Sequence, residues 1–180
     1  MNITIKNVKY AAFASQETHC FEATLYVDGK PFGYVSNDGH GGCDDVYPLN
    51  NCKKEDIPKW RKRLDAIEKE LGKEKHECSF NDPKTGKPAM LDNDLEMVVG
   101  GLMNDWHRMN EVKKILRRIS YIRDGKVYQM PAKYKPTAAA IQQIQAAKFW
   151  KKDNVLLNVG GKNEAATAKA RLDQIGYFGE

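Results

Sequence analysis

The segment from Asn37 to Asp45 brings together side chains that could do chemistry. It reads Asn-Asp-Gly-His-Gly-Gly-Cys-Asp-Asp and places His40 and Cys43 among three glycines. One hypothesis makes His40 a general base oriented by Asp38 or Asp44, or the group that activates the Cys43 thiol as a nucleophile. Either mechanism needs hydrogen-bond distances that a glycine-rich loop does not hold by itself. We therefore rank catalysis below binding.

The same loop offers ligands for a metal ion. Zinc takes four nitrogen or sulfur ligands, and an alternative set combines the loop with later residues: His40, Cys43, Cys52 and either His76 or Cys78. The spacing lacks the tight ligand pairs of zinc fingers, so the sequence predicts no cofactor and keeps zinc as the alternative. A structural role also explains these residues, since glycines supply positive φ and Asn37 and Asp38 can cap turns.

A second group of candidate residues lies on a hairpin over residues 116–130, built on Asp124-Gly125. If Arg123 faces Lys126, one face of this hairpin is basic and aromatic. We expect its charged groups and the rings of Tyr121 and Tyr128 to project together into solvent. Guanidinium and ammonium groups beside aromatic rings suit nucleic acid, a nucleotide or an acidic protein surface. The alternative is that these side chains only cover a helix with their apolar parts. The predicted binding residues are Arg117, Tyr121, Arg123, Lys126 and Tyr128.

A third candidate is the glycine pair Gly160-Gly161, followed by Lys162 and a helix. Free backbone amides, a positive helix end and an ammonium group together can bind an anion. The pattern departs from a P-loop, because no serine or threonine follows the lysine. A tight turn with Asn163 as the N-cap explains the same residues. Gly160, Gly161 and Lys162 join Asn37 and His40 in the predicted binding set.

The elements that must position these residues begin with another hairpin over residues 20–36. Asp28-Gly29 is typical of a two-residue type I′ turn, and the register pairs Val27 with Lys30. This register predicts an apolar face of Phe21, Ala23, Leu25, Val27, Phe32 and Tyr34, with Val35 on the other face. Alternating residues near the N-terminus predict a further strand, and we expect the sheet to end at Ser36.

Apolar residues at helical spacing predict a helix from Asp56 to Gly72. A second helix is predicted from residues 92–94, with Gly100-Gly101 explained by close packing. Residues 73–91 show no period. After the hairpin at 116–130, a helix following Thr137, a short strand at 155–159 and a last helix to Gly176 suggest a βαβ crossover. The fold class is α+β: an N-terminal antiparallel sheet with helices, then a hairpin followed by helix, strand and helix.

Length and composition fit one globular domain over residues 1–180, with lobes 1–91 and 92–180 as the alternative. Hydrophobic residues make up 41% and charged residues 29%, and the net charge of +5 permits nucleic-acid binding without requiring it. We expect no membrane association and a cytoplasmic location, because no apolar run is long enough to span a bilayer. Four cysteines in a reducing compartment are expected to be thiols or metal ligands.

The run Ser36-Asn-Asp-Gly-His-Gly-Gly-Cys-Asp, with Arg118-Ile-Ser-Tyr-Ile-Arg and Leu156-Leu-Asn, resembles small accessory proteins of bacteriophages and prophages. The resemblance implies a compact factor in the host cytoplasm that acts on host machinery or host defence. No catalytic residue carries over from it.

The leading hypothesis is therefore a non-catalytic binding protein whose partner is a host protein or a small phosphate-bearing ligand. The alternatives are a metal- or thiol-dependent enzyme centred on His40 and Cys43, and a nucleic-acid-binding module. The sequence leaves the oligomeric state open.

Overall fold

The computed structural model describes residues 1–179, apart from the side chain of Ser79. It divides the chain into two compact units, Met1–Met103 and Asn104–Glu180. The boundary between them falls inside a helix. Helices and antiparallel sheets occur in separate stretches of the chain, and the first sheet has four strands, so the predicted α+β class is confirmed.

Four α-helices and nine strands are described in residues 1–179. The helices are α1 (Ile57–Leu71), α2 (Leu95–Ile115), α3 (Ala138–Gln145) and α4 (Glu164–Asp173). The first unit contains the strands β1 (Ile3–Tyr10), β2 (Phe21–Val27), β3 (Lys30–Asn37), β4 (Asp45–Pro48), β5 (Lys75–Asn81) and β6 (Pro88–Asp92). The second contains β7 (Ser120–Arg123), β8 (Lys126–Gln129) and β9 (Val155–Leu156).

Both predicted two-residue turns are present. Asp28 and Gly29 have φ angles of 49° and 76°, and Asp124 and Gly125 have 50° and 69°, as a type I′ turn requires. Val27 pairs with Lys30 as expected. The Asp-Gly dipeptides alone were therefore sufficient to predict where both hairpins turn.

A β-bulge in β3 changes which residues of this strand face the core. Leu25 pairs with Gly33 and Tyr26 with Pro31, so Phe32 is an extra residue in β3. One extra residue moves every later side chain to the opposite face. Val35 is consequently fully buried and Tyr34 is not, so the predicted facing of these two residues is wrong.

The sheet also continues past the glycine-rich loop. β3 extends to Asn37, and β4 returns alongside it with Asp45 opposite Ser36, so the order of the sheet is β1-β2-β3-β4. The expectation that the sheet ends at Ser36 was wrong, because the loop connects two paired strands. Residues 38–44 are thus held at both ends by the ladder.

Helix α1 follows the predicted pattern, with Pro58 in its first turn and Ile67 as its buried residue. Asp56 precedes it but makes no side-chain capping bond within the described chain. Helix α2 buries Leu95, Val99 and Met103 in the first unit. A Cβ added at Gly100 or Gly101 would meet no described atom within 4 Å, so the close-packing explanation for these glycines was wrong.

Residues 73–91 are largely a hairpin rather than an aperiodic connection. His76 of β5 pairs with Leu91 of β6, and Asn81 pairs with Pro88. The amide of Gly86 donates to the carbonyl oxygen of Asp82 at 2.8 Å and closes the turn. Alternation was hard to detect because lysine, glutamate and histidine occupy much of β5.

In the second unit, β8 and β9 both pair antiparallel with β7, in the order β8-β7-β9. The two outer strands are therefore parallel to each other and connected through α3, which is a crossover with one strand between. Thr137 caps α3 by accepting a hydrogen bond from the amide of Ala140 at 3.3 Å. One hydrophobic cluster in the core of this unit contains Val112, Ile115, Ile122, Leu157, Ala168 and Leu172.

Candidate functional site

The glycine-rich loop is organised around the buried side chain of Asn37. Its Oδ1 accepts hydrogen bonds from Thr18 Oγ1 at 2.6 Å and from the amide of Gly39 at 2.9 Å. Its Nδ2 donates to Asp44 Oδ1 at 3.0 Å and to the carbonyl oxygen of Gly42 at 3.2 Å. Both ends of the carboxamide are thus satisfied inside the first unit, so Asn37 acts as an internal brace of the loop.

The segment before β2 holds the loop from the other side. The carbonyl oxygen of Gly39 accepts the amides of Gln16, Glu17 and Thr18 at 2.9, 3.1 and 3.4 Å. Gly39 has a φ of +87°, and a Cβ there would lie 2.2 Å from the carbonyl oxygen of Ala14. The loop is therefore ordered by backbone contacts, which the glycine composition alone did not indicate.

Beside this loop lies a cavity of about 450 Å³ within the first unit. Its walls carry acidic groups from three segments, Glu17, Asp44 and Glu96. Burial raises the pKa of the Asp44 carboxyl above its ordinary value, the bond from Asn37 opposes this, and the charge of Glu96 adds to it. This cavity was not predicted, because Glu17 and Glu96 are far from the loop in sequence.

The structure does not pair His40 with Cys43. Asp38 Oδ1 accepts the backbone amide of His40 at 3.0 Å, which fixes the turn and leaves the imidazole unoriented by this carboxylate. The Cys43 thiol instead bonds Glu96, and that carboxylate raises the pKa of the thiol, with smaller contributions from Asp44 and Asp94. Because the thiolate is the nucleophile, this environment opposes activation of Cys43.

The alternative zinc ligands are not assembled into one cluster. Cys78 Sγ lies 3.7 Å from His76 Nε2 on β5, and His76 Nδ1 lies 3.1 Å from Asn93 Oδ1. Across residues 1–179, no group of three or more histidine, cysteine, aspartate or glutamate side chains is arranged to hold a metal ion. Cys52 bonds weakly to the carbonyl oxygen of Lys53 instead.

The β7–β8 hairpin carries the aromatic residues, but one of them is buried. Tyr121 is only 6% exposed, and its ring stacks on Tyr128 with centroids 5.6 Å apart and planes at 17°. Trp150 contacts the Tyr121 ring at 5.1 Å. The expectation that both tyrosines project into solvent was wrong for Tyr121, which is buried in contact with two other rings. Tyr128 is half-buried and closes this stack.

The basic residues of this hairpin remain accessible. The Arg123 guanidinium lies 4.6 Å from the centroid of Tyr128, and Lys126 is exposed beside the turn. In the part of the chain that is described, no carboxylate forms an ion pair with Arg117, Arg123 or Lys126. Arg117 lies in the turn after α2, because β7 starts at Ser120, so its predicted place on the strand face was wrong.

The glycine pair before α4 forms a turn whose first amide is already occupied. Gly160 and Gly161 have φ angles of +73° and +85°. Glu164 Oε1 accepts the amide of Gly160 at 3.0 Å, and no side-chain capping bond from Asn163 is described. A carboxylate thus fills the position that an anion would take. Lys162 is exposed beside it.

A groove in the second unit was not predicted. It lies between α3, β9 and the start of α4, with a volume of about 690 Å³. Asn154 lines it and is 9% exposed, and neither its Oδ1 nor its Nδ2 has a hydrogen-bond partner among the described residues. An asparagine just before a short strand gives no sequence signal for this property. The groove depends on where α3 crosses the sheet.

No protein-family model, curated protein or solved structure matches this chain. Among residues 1–179, no helix combines the length and the apolar composition needed to cross a bilayer.

Proposed function

We propose that this chain is a non-catalytic binding protein that holds an acidic partner on its β7–β8 hairpin. The observation that carries the proposal is the Arg123 guanidinium, which lies over the Tyr128 ring without a carboxylate partner in the described chain. A cation stacked on an aromatic ring keeps its outward N–H groups for a carboxylate or phosphate. Together with Lys126, it gives the end of this hairpin two cations against the single carboxylate of Asp124 in the turn.

The buried Tyr121 supports partner binding without contacting the partner itself. Because the buried Tyr121 contacts both Tyr128 and Trp150, it supports the ring on which Arg123 lies. A side chain held in its binding conformation loses less entropy when a partner arrives. Arg123 and Tyr128 are therefore positioned for binding before the partner is present.

The resemblance to phage accessory proteins favours a host protein as the acidic partner, with a small phosphate-bearing ligand as the alternative. Binding is favoured over catalysis because Glu96 raises the pKa of the Cys43 thiol and the structure does not join this thiol to His40. Nucleic acid remains a third candidate, and steep weakening of binding by salt would identify it.

The test is capture from host lysate with a charge-reversed hairpin. One variant carries both Arg123→Glu and Lys126→Glu, and the matched control carries both Lys30→Glu and Arg61→Glu. Lys30 follows Asp28-Gly29 as Lys126 follows Asp124-Gly125, and both variants change the net charge equally. Far-ultraviolet circular dichroism and the melting temperature verify that each variant folds.

We expect the wild type and the control to capture the same partner, identified by mass spectrometry, and the hairpin variant to lose it. Co-purified small molecules are analysed in the same samples, which separates a protein partner from a phosphate-bearing ligand. Equal capture by the hairpin variant and the control would refute the assignment of the site to β7–β8.

A further inference from the structure

The groove in the second unit has the composition of a small-molecule site. Its volume of about 690 Å³ lies within the range of roughly 300–1,000 Å³ that is typical of ligand pockets. Ile141 of α3, Val155 of β9 and Val159 supply apolar walls, and the last two are 41% and 42% exposed. Exposed valines in a groove are unfavourable in water and favourable against a flat apolar surface.

Asn154 is the polar group that this site leaves unsatisfied. Its carboxamide presents an acceptor oxygen and a donor nitrogen, both buried and both without a partner in residues 1–179. Most buried polar side chains in proteins have at least one partner, so an unpaired carboxamide on a groove wall indicates a missing bonding group. The missing group must offer one donor and one acceptor side by side.

The charged residues of the groove are already engaged within the chain. Glu164 accepts the amide of Gly160, and the Arg171 guanidinium donates to the carbonyl oxygen of Leu156. One negative and one positive side chain line the same groove, so their charges offset each other. This balance favours an uncharged ligand over an anion.

We propose that the groove binds an uncharged nucleobase or nucleoside, with Asn154 pairing to one edge of the base. Asparagine forms two parallel hydrogen bonds with a base edge that offers a donor next to an acceptor. Ile141, Val155 and Val159 supply the apolar contacts for the ring. Because both polar atoms of Asn154 are out of contact with solvent, ligand entry turns the carboxamide toward the groove.

A phosphate does not fit at the neighbouring glycine turn. Gly160 would have to release Glu164 before its amide could bind a phosphate oxygen, and the carboxylate would then repel the phosphate. A nucleoside monophosphate should therefore bind no more tightly than its nucleoside. This proposal concerns a different surface from the β7–β8 hairpin and does not depend on it.

The test titrates the full-length protein with adenosine, guanosine, cytidine and uridine, using calorimetry and amide chemical shifts. We expect at least one nucleoside to bind and to shift resonances of Val155, Val159 and Asn154. Asn154→Leu should weaken binding by about tenfold or more, because it removes both hydrogen bonds. The same substitution should raise the melting temperature without ligand, since it removes an unpaired buried polar group. Asn51→Leu, at an exposed turn, is the matched control.

A second variant, Val159→Arg, fills the groove from an exposed wall and does not disturb the core, so it should also abolish binding. The proposal is overturned if no nucleoside binds at millimolar concentration, or if Asn154→Leu and Val159→Arg bind as the wild type does. It is also overturned if the 5′-monophosphate binds more than about tenfold tighter than its nucleoside and Lys162→Ala removes the gain.

Discussion

The carboxamide nitrogen of Asn37 donates to Asp44 Oδ1 at 3.0 Å, across the base of the glycine-rich loop. Asp44 is partly buried, and desolvation raises the pKa of its carboxyl although the Asn37 bond opposes this change. Burial of this carboxyl therefore works against its ionisation, although its hydrogen bond helps to hold the loop. This relationship gives the first prediction.

Asp44→Asn should raise the free energy of unfolding at pH 7, and the gain should shrink as the pH falls to the ordinary aspartate value of 3.8. The folded pKa of Asp44 lies above the unfolded one, so the native state binds more protons between these values and loses stability as pH rises through them. The asparagine Oδ1 still accepts from Asn37. Urea unfolding across this pH range measures the effect.

Asp65→Asn, at an exposed position of α1, corrects for the loss of one negative charge. If Asp44→Asn destabilises the protein equally at every pH, the carboxylate contributes a net favourable bond and the interpretation of its burial is incorrect.

The second prediction concerns Cys43 and Glu96. Because the Glu96 carboxylate raises the pKa of the Cys43 thiol, alkylation by iodoacetamide should require a higher pH than for an ordinary thiol. Glu96→Gln should move the pH profile of Cys43 alkylation downward and speed the reaction at pH 8. Mass spectrometry resolves the modification of each cysteine.

Glu55→Gln, which removes a carboxylate elsewhere in the first unit, is the matched control. Rapid alkylation of Cys43 in the wild type at neutral pH would support the thiol-enzyme alternative instead.

The elements that were predicted correctly depend on local chemistry. Asp28-Gly29 and Asp124-Gly125 require positive φ at both positions, and a few residues suffice to recognise that requirement. The bulge at Phe32 was missed because it depends on what packs against the strand. Once Phe32 is counted as an extra residue, Val35 faces inward without any change in sequence pattern.

In the candidate site, too, local strand pairing could be predicted from the sequence, whereas contacts between separate elements could not. Sequence identified Arg123 and Tyr128 as neighbours, because pairing across a type I′ turn follows from the register. It placed Tyr121 in solvent because the contact with Trp150 joins residues on separate elements. Asn154 gave no signal at all, since an unpaired carboxamide is a property of the packed structure.

The third prediction compares two glycines of the same loop. Gly42 has a φ of +101° with open space around it, so Gly42→Ala should cost about 1–2 kcal/mol from backbone strain alone. Gly39→Ala should cost about 3 kcal/mol or more, because its Cβ would also displace the backbone of Ala14 and the side chain of Cys20. Chemical denaturation measures both, and equal losses would show that Ala14 moves freely.

The last prediction concerns Trp60, whose indole nitrogen donates to the carbonyl oxygen of Phe32 at 3.0 Å. The two rings also stack, with centroids 5.4 Å apart and planes at 22°. Trp60→Phe should keep the stacking and lose the hydrogen bond, which leaves the carbonyl of the bulge unpaired and costs about 1–3 kcal/mol.

Trp60→Leu removes the hydrogen bond and the ring together, so it should cost about 3–5 kcal/mol and serves as the comparison for Trp60→Phe. Urea unfolding followed by circular dichroism avoids the change in fluorescence that both substitutions cause. Wild-type stability in Trp60→Phe would mean that water replaces the indole at the Phe32 carbonyl. In that case the stacking of the rings, rather than the hydrogen bond, holds α1 on the bulged strand.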